Sequence, residues 1–315
     1  MLAVREAGEF PGWAARRLAV LGGAQKFCAL RVFPIEATRR RNVAVRYAVS
    51  EEESESAETA TPVTADADLA LAIETRRPHT SMVGAGCRLL VPLSVADEVR
   101  HVIHLDGAAL HGAGAALLKA LIPLLSSYYD LLVEAETDPL TRLPNRRVFY
   151  SEMSRKLIRR GAGERRRFLA MADIDHFKQI NDRFGHLYGD EILIHFARLM
   201  RATFRAGDLL YRFGGEEFVI AYSVPRAEDG ASPLERFRAA VERYVFPRVG
   251  RVTASVGFTA IDATSAPATT LIDRADMAVY YAKRNGRNRV CHYEALIASR
   301  AIEAPQPEAG DATLF

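Results

Sequence analysis

The sequence predicts an α/β (α+β) protein of two domains joined by one long helix, and three observations lead to this prediction. The chain has 315 residues, more than one compact core usually holds. Strand-like and helical patterns alternate in both halves of the chain, and an uninterrupted helical pattern lies between the halves. We therefore expect a first domain at 1–112, a connecting helix at 113–136, a second domain at 137–295 and a disordered tail at 296–315.

Bulk composition argues against several classes of protein. With 49% hydrophobic and 26% charged residues, the chain lies near the globular average. The net charge of +3 comes from 42 basic and 39 acidic residues, so neither DNA, RNA nor an anionic membrane is expected as the main partner. The cysteines, Cys28, Cys87 and Cys291, are too widely spaced for a zinc motif or a disulfide framework. No run reaches the roughly 18 apolar residues of a membrane span, so we expect a soluble, cytoplasmic protein.

The first domain is predicted to contain a sheet with covering helices. Its helices are expected at 13–21 and 69–75, and its strands at 27–35, 43–49, 87–93 and 99–105. The acidic, polar segment 50–68 lacks large apolar residues and is predicted to be a mobile loop. The last two strands are expected to form a hairpin around the turn residues 96–98.

This hairpin, RLLVPLSVADEVRHVIHLDG, resembles the paired late strands of a GAF domain, a module that senses small molecules or proteins. The resemblance implies a regulatory first domain whose signal is unknown. It includes no diagnostic ligand residue. We expect structural or solvent-facing roles for the histidines nearby, which are His79, His101, His104 and His111.

The connecting helix carries an apolar repeat. Side chains follow one another at alternating spacings of four and three residues, namely Leu117, Leu121, Leu124, Tyr128, Leu131 and Ala135. This a/d pattern is typical of a helix pair, so the helix is expected either to pair with a second copy of the chain or to pack on its own first domain. Pro123 is expected to kink it.

The second half shows the order β-α-α-β-β-α-β-α-β, which predicts a sheet covered by helices. Strands are expected at 168–174, 209–213, 217–222, 251–258 and 289–293, and helices at 177–184, 191–204, 233–245 and 269–284. The residues that can carry chemistry lie at the ends of these elements.

Acidic residues mark the end of the first of these strands. The run LAMADID is apolar until Asp173 and Asp175, and strand alternation places both carboxylates on one face. Hard cations such as Mg²⁺ bind where oxygen ligands from adjacent strands converge. A second source of oxygen ligands is the hairpin YRFGGEEFVI. Its tight turn contains Gly214 and Gly215, and its acids are Glu216 and Glu217. Taken alone, that hairpin is typical of an ordinary solvated turn.

Further polar residues follow the strand in DIDHFKQINDRFGHLYGDEIL. Lys178 can meet a phosphate as a compact charge, and Asn181 with Asp190 can bind the edge of a guanine. Helix capping is the alternative for the Asn and the Asp. In AKRNGRN, Lys283 and Arg287 lie four apart on one face at the end of a helix, which suits the helix dipole, a triphosphate or both.

Five motifs in this order resemble the GGDEF family of diguanylate cyclases: DPLTRLPNRR (138–147), DIDHFKQINDRFGHLYGD (173–190), GGEEF (214–218), ASVGFT (254–259) and AKRNGRN (282–288). The resemblance implies a fold similar to the palm of nucleotidyl cyclases and polymerases. It implies an enzyme that condenses two GTP molecules into cyclic di-GMP. Since each domain holds one GTP, it also implies a homodimer.

The resemblance further implies a role for each motif residue. Asp173 and Glu216 would ligate Mg²⁺ (or Mn²⁺) together with the Ile174 carbonyl, and Glu217 would assist with a second metal or the attacking 3′-hydroxyl. Asn181 and Asp190 would hold guanine. The phosphates and ribose would be contacted by the main chain of His176, Phe177, Gly214 and Gly215 and by the side chains of Lys178, Lys283 and Arg287.

The segment RAGD, with Arg205 and Asp208, lies just ahead of the GGEEF hairpin. It is either a surface pair of little energetic value or, by the resemblance, an RxxD site at which cyclic di-GMP inhibits the enzyme. Arg236 and the basic stretch 159–167 are weaker candidates for the same role. The alternative function is a catalytically silent effector that binds GTP or cyclic di-GMP. No phosphodiesterase segment is visible in the sequence.

Overall fold

The computed structural model of the chain describes residues 10–34, 43–48, 61–83, 86–95, 98–108, 112–158, 166–205, 207–261 and 267–303. The chain forms two compact units, Met1–Glu136 and Thr137–Phe315. Each unit has its own sheet and its own hydrophobic cores.

The described part of the first unit contains a six-stranded antiparallel sheet with the order β3-β2-β1-β6-β5-β4. Its strands are β1 (Lys26–Pro34), β2 (Val43–Ala48), β3 (Thr61–Pro62), β4 (His79–Val83), β5 (Gly86–Val95) and β6 (Glu98–Ala108). Its helices are α1 (Phe10–Gly22), α2 (Ala67–Thr75) and α3 (Gly112–Glu136), and a 3-10 turn covers Val63–Ala65.

Alternation along β5 explains how both faces of this sheet are covered. Leu89, Val91 and Leu93 pack into a core with α1 and α3. Leu90 packs into a second core with α2. Because successive side chains of a strand point to opposite faces, the two cores lie on opposite sides of the sheet.

The predicted helices and strands of the first unit are present, with one omission and one error. The omission is β4, an edge strand whose side chains are mostly exposed and therefore give no apolar pattern. The error lies in the expected loop 50–68, because β3, the 3-10 turn and the start of α2 fall within it. Residues 50–60 and the turn residues 96–97 lie outside the described residues. The likeness to a GAF domain stays a prediction.

Helix α3 has two apolar stripes, and the predicted one is not the stripe that fills the core of the first unit. The core is filled by a neighbouring stripe that includes Leu118, Ile122, Tyr129 and Leu132. In the predicted stripe, Leu117, Leu124 and Leu131 are 45%, 66% and 62% exposed, respectively. Leu121 and Tyr128 are half-buried, and Ala135 is exposed. The helix continues through Pro123.

The length and composition of α3 also bear on the expectation of no membrane span. Within the described residues, the segment Ala115–Glu136 is long and apolar enough to cross a membrane, with a mean hydropathy of 1.4. Core helices of soluble proteins meet the same criteria, so this is weak evidence. The expected absence of a span stays a prediction.

The described part of the second unit contains a five-stranded sheet with the order β13-β12-β7-β9-β8, in which the β12–β13 pair is parallel and the others are antiparallel. The strands are β7 (Arg166–Ile174), β8 (Leu209–Arg212), β9 (Glu217–Val224), β12 (Ala254–Ala260) and β13 (Val290–His292), and a small ribbon is formed by β10 (Val245–Phe246) and β11 (Gly250–Arg251). The helices are α4 (Arg146–Ile158), α5 (Phe177–Phe184), α6 (His186–Thr203), α7 (Ala231–Arg243), α8 (Ala268–Arg284) and α9 (Tyr293–Ala298), and a 3-10 turn covers Ala227–Asp229.

The central strand β7 is buried on both faces. Ala170 and Ala172 pack into a core with α6 and α7, and Leu169 and Met171 pack into a core with α4 and α8. A side chain at Gly257 of β12 would collide with the backbone of α8, which is why a glycine is needed at this close approach. Two covered faces hold the end of β7 rigidly.

The mixed α/β class and the predicted order of elements in the second unit are confirmed. Helices α4 and α9 and the β10–β11 ribbon are additional to the prediction. The predicted disordered tail begins too early, because α9 continues through Ala298, and Leu296, Ile297 and Ile302 pack against a core cluster that includes Tyr293. Residues 304–315 lie outside the described residues.

Candidate active site

The turn of the β8–β9 hairpin lies against the end of β7. Asp173 pairs with Glu217 in the antiparallel register of β7 and β9. The Ile174 N–H donates to the Glu216 carbonyl at 3.4 Å. The N–H groups of Phe213 and Gly214 both donate to the Glu217 carbonyl, at 2.8 and 3.2 Å, which closes the turn. The hairpin acids are therefore brought to the strand end that carries Asp173.

Asp173 is a buried acid with one unused oxygen. It is 4% exposed, and its Oδ2 forms an ion pair with Lys283 Nζ at 2.7 Å. Its Oδ1 accepts no hydrogen bond from the residues that the structure describes. Burial raises the pKa of Asp173 to about 6, an effect that Lys283 opposes and that Glu216 and Glu217 reinforce. Burial also raises the pKa of Glu216.

Asp173 and the hairpin acids are near one another, because Asp173 and Glu217 are register partners and both hairpin glutamates raise the pKa of Asp173. The predicted cation site at these acids stays a prediction. Across the described ranges, no three Asp, Glu, His or Cys side chains form a group that could hold a metal by themselves. The donors are nevertheless oxygens suited to a hard divalent cation, and Oδ1 of Asp173 is unused, so the site fits such a cation if other oxygens complete its shell.

Asp175 lies on the same face as Asp173, as strand alternation predicts, because its partner Ser255 is opposite Asp173 in the register of β7 and β12. Its carboxylate is nevertheless engaged within the protein. The Asp175 carboxylate is buried and accepts hydrogen bonds from Thr253 Oγ1 at 2.6 Å and Ser255 Oγ at 2.7 Å. It connects β7 to the neighbouring strand β12.

Two residues missed in the sequence hold the hairpin turn in place. Arg212 Nε donates to the Gly214 carbonyl at 3.2 Å, and Nη2 donates to the Gly215 carbonyl at 2.7 Å. Arg212 Nη1 donates to both carboxylate oxygens of Asp138, at 3.0 and 2.9 Å. Asp138 also caps its own turn by accepting from the Thr141 N–H at 2.7 Å. The turn capped by Asp138 could be predicted from the local sequence. The pairing of Asp138 with Arg212 could not, because the two residues are far apart in the chain.

The polar residues after β7 are close to one another around the α5–α6 turn. Asn181 Oδ1 is buried without a hydrogen-bond partner among the described residues. A side chain at Gly189 would collide with this oxygen, so Asn181 lies directly beside the residue that precedes Asp190. Asp190 and Lys178 are exposed. Asn181 and Asp190 are thus near one another, with the Asn181 oxygen buried and Asp190 exposed, and their binding of guanine stays a prediction.

The backbone at His176 and Phe177 begins α5. His176 adopts a left-handed conformation with φ of 59°. The His176 side chain does not cap the first N–H groups of the helix. N–H groups at a helix start favour anions such as phosphate, and the binding of phosphate by this main chain stays a prediction.

Residues 283–288, named here the cation loop, depart from the prediction in one respect. Lys283 lies in the last turn of α8, which ends at Arg284. Gly286 then turns the chain with φ of 103°, and Arg287 has φ of 59°. Arg287 therefore lies beyond the helix and does not share a helical face with Lys283, as the four-residue spacing had suggested.

The predicted RxxD residues form a closed turn. The Arg205 N–H donates to Asp208 Oδ2, and the Asp208 N–H donates to the Arg205 carbonyl, both at 2.9 Å. Arg205 is exposed. Arg236 Nη2 donates to the Thr203 carbonyl at 3.0 Å. Residues 159–165 of the basic stretch lie outside the part of the chain that the structure describes.

The described histidines of the first unit each contact a neighbour within that unit. His79 lies 3.2 Å from Asp68 Oδ1, His101 lies 2.8 Å from the Tyr129 hydroxyl, and His104 lies 2.9 Å from Asp106 Oδ1. These contacts agree with structural roles. His111 lies outside the described residues.

Comparison with known proteins concerns the second half of the chain. The family model described as "Diguanylate cyclase, GGDEF domain" matches residues 135–289. Diguanylate cyclase DgcP of Pseudomonas aeruginosa is 43% identical over 164 residues, which are 51% of this chain and 24% of that protein. The response regulator PleD of Caulobacter vibrioides is 40% identical over 161 residues, which are 50% of this chain and 36% of that protein. The match thus covers less than half the length of either relative.

Among solved structures, the coiled coil and GGDEF domain of DgcB from Caulobacter crescentus, in complex with c-di-GMP, is similar to this chain. The TM-score is 0.52 and the sequence identity is 30%. The similarity covers 56% of this chain and 96% of that chain. The similarity supports the same fold for the second unit.

The raised pKa of Asp173 predicts that, without a bound metal, the free energy of unfolding decreases as the pH rises through the pKa of this carboxyl. The folded-state pKa of about 6 exceeds the ordinary 3.8, so the stability that this carboxyl contributes is complete below about pH 4 and is lost as the pH rises through 6. Asp173→Asn lacks this dependence. We expect its free energy of unfolding, relative to wild type, to be greater at pH 7.5 than at pH 4 by up to roughly 3 kcal/mol.

The measurement is urea unfolding in EDTA, followed by far-UV circular dichroism. The single tryptophan, Trp13, lies in α1, so its fluorescence reports the first unit alone and identifies which transition belongs to the second. A difference between the two proteins that is the same at both pH values would contradict the prediction.

Proposed function

Since residues 135–289 form a GGDEF domain, we propose that this chain is a diguanylate cyclase that condenses two GTP molecules into cyclic di-GMP and two pyrophosphates. In each half of the reaction, the 3′-oxygen of one GTP attacks the α-phosphorus of the other. The bond from that phosphorus to the β-phosphate bridge then breaks, and pyrophosphate leaves.

The observation that carries the proposal is the buried carboxylate of Asp173 beside the hairpin acids. A buried oxygen without a partner costs free energy, and Oδ1 of Asp173 is such an oxygen. A cation at this position would remove that cost. Asp173, Glu216 and the Ile174 carbonyl would hold Mg²⁺ (or Mn²⁺), which when bound lowers the pKa of a 3′-hydroxyl and neutralises charge on the α-phosphate. Glu217, whose carboxylate lies over Gly214, would accept the proton of that hydroxyl.

The substrate would lie between two groups of residues. The unpartnered Asn181 Oδ1 and the neighbouring Asp190 would bind the N–H edge of guanine. The phosphates would be held by the start of α5, by Gly214 and Gly215, and by the cations Lys178, Lys283 and Arg287. Lys283 would then exchange part of its contact with Asp173 for phosphate oxygens.

Two copies of the chain are needed because one domain holds one GTP. We propose that the exposed stripe of Leu117, Leu124 and Leu131 pairs with the same stripe of a second copy, since these residues recur every seven positions as a helix pair requires. The neighbouring stripe of α3 is fixed in the core of the first unit. A signal that alters that core would move α3, so the first unit would regulate the enzyme through this helix.

Product inhibition is proposed at Arg205 and Asp208. The closed turn holds the two residues together and leaves the Arg205 side chain exposed. A guanidinium on a rigid turn can grip a phosphate in two places and stack on a guanine.

Glu216→Gln tests catalysis. It removes one charge from the cation-binding carboxylates without changing their size, so we expect formation of cyclic di-GMP from GTP and Mg²⁺ to fall about 100-fold or more. Product is measured by chromatography, with EDTA added to wild type as a second arm. The matched control is Glu228→Gln, an exposed acid of the 3-10 turn, which should retain the wild-type rate. Tight binding of GTP by wild type without turnover would identify a silent effector and sink the proposal.

Leu124→Glu tests the dimer. A charge in the paired stripe is costly to bury, so the dimer should dissociate in sedimentation experiments and the rate per chain should fall. Leu71→Glu, at an exposed leucine of α2, is the control and should change neither. Activity that is independent of protein concentration in the monomeric variant would contradict the dimer.

Tyr129→Phe, which removes the hydroxyl that contacts His101, should change the rate without dissociating the dimer if the first unit regulates catalysis.

Arg205→Ala tests inhibition by product. We expect the concentration of cyclic di-GMP that halves the rate to rise at least about tenfold, because a charge-assisted phosphate contact is lost. The initial rate without product should stay unchanged. Arg198→Ala, at an exposed arginine of α6, serves as the control. An unaltered inhibition curve for Arg205→Ala would exclude this turn as the inhibitory site.

A further inference from the structure

Asn288, at the end of the cation loop, is held on three sides. Its Oδ1 accepts from Arg238 Nη1 at 2.8 Å, and its Nδ2 donates to Glu242 Oε1 at 2.7 Å. Its backbone N–H donates to Asp175 Oδ2 at 3.1 Å. Arg238 also donates to Glu242 Oε2 at 2.8 Å, so the amide of Asn288 fits a complementary donor and acceptor on α7. Rotation of this side chain would break hydrogen bonds to two charged groups.

The two aspartates at the end of β7 hold the two ends of the cation loop. Asp173 binds Lys283, where the loop begins, and Asp175 binds Asn288, where it ends. Asp175 is itself fixed by Thr253 and the buried Ser255 of the neighbouring strand. The loop is therefore anchored to the central strand that carries the candidate catalytic acid.

The backbone of the loop needs this support. Gly286, Arg287 and Asn288 have φ of 103°, 59° and 45°, three left-handed residues in a row. Residues other than glycine disfavour the left-handed region of backbone conformation, and they stay in it only where surrounding contacts hold them there. The N–H that Asp175 accepts belongs to the peptide bond that joins Arg287 to Asn288. That hydrogen bond consequently fixes the orientation of the peptide plane that follows Arg287.

We infer that Asn288, with Arg238, Glu242 and Asp175 around it, is a positioning residue that holds Arg287 for the triphosphate of the nucleotide. The inference rests on the proposed function for the identity of the nucleotide. Asn288 contacts the protein on three sides and acts on the ligand through Arg287. Its effect should be confined to the phosphate end of GTP, because the predicted guanine residues Asn181 and Asp190 belong to other elements.

Asn288→Ala in the full chain tests the inference. We expect the KM for GTP to rise about tenfold with a smaller fall in kcat, since a mobile Arg287 binds the triphosphate less well. In a binding assay with Mg²⁺, the Kd for 3′-deoxy-GTP, which has no attacking hydroxyl, should rise by a similar factor. The Kd for GMP, which lacks the β- and γ-phosphates, should stay within about twofold of wild type.

The same loop provides a matched control. Asn285→Ala removes an exposed amide whose hydrogen-bond acceptor among the described residues is the Tyr281 carbonyl, at 2.8 Å, and it should leave the affinities for 3′-deoxy-GTP and GMP unchanged. If Asn288→Ala folds poorly, Arg238→Ala removes one contact of Asn288 from α7 and should give the same pattern with a smaller magnitude. Equal weakening of GMP and 3′-deoxy-GTP, or wild-type affinity for both, would overturn the inference.

The outcomes for the inference and for the proposed function are separable. If wild type forms no cyclic di-GMP, the proposed function fails, but the binding assay still compares the phosphate and guanine ends of the ligand. If wild type is active and Asn288→Ala behaves like wild type, only the positioning role of Asn288 fails.

Discussion

The burial of Asp173 at the end of β7 is the constraint on which the active-site region depends. A carboxylate that is 4% exposed loses its hydration, and the neighbouring glutamates add negative charge, so the site requires compensating cations. Lys283 supplies one through Oδ2, and the unused Oδ1 leaves room for another. The same electrostatic cost that weakens the fold thus prepares the site for a divalent cation and the phosphates that accompany it.

The loops around this acid owe their positions to tethers rather than to apolar packing. Arg212 links both carbonyls of the glycine turn to Asp138, and Asn288 links the cation loop to Asp175. Each tether joins a surface loop to a partly or fully buried polar group, so the loop keeps one geometry although it is partly solvated. Loops held in this way can present the charges that a nucleotide needs without closing the site to substrate.

Helix α3 shows how one element can serve two purposes. One stripe, which includes Leu118 and Leu132, completes the core of the first unit, and burial of its apolar surface fixes the rotation of the helix. That rotation leaves Leu124 and its heptad neighbours exposed, where they form the apolar surface that our proposal assigns to a second copy. Assembly and regulation would thereby depend on the same packing.

The sequence by itself determined the order of most strands and helices and located the GGEEF and AKRNGRN motifs at the ends of these elements, because alternation, helical periodicity and turn residues depend on neighbours along the chain. It did not distinguish Asp173 from Asp175, since both follow the same alternating pattern. Only the tertiary structure did so, by engaging the Asp175 carboxylate with Thr253 and Ser255 and leaving Oδ1 of Asp173 without a partner among the described residues. Three further features also depend on contacts between segments that are distant in the chain, so local sequence patterns do not predict them. They are the pairing of Asp138 with Arg212, the pairing of Arg238 with Asn288, and the choice of which stripe of α3 is buried.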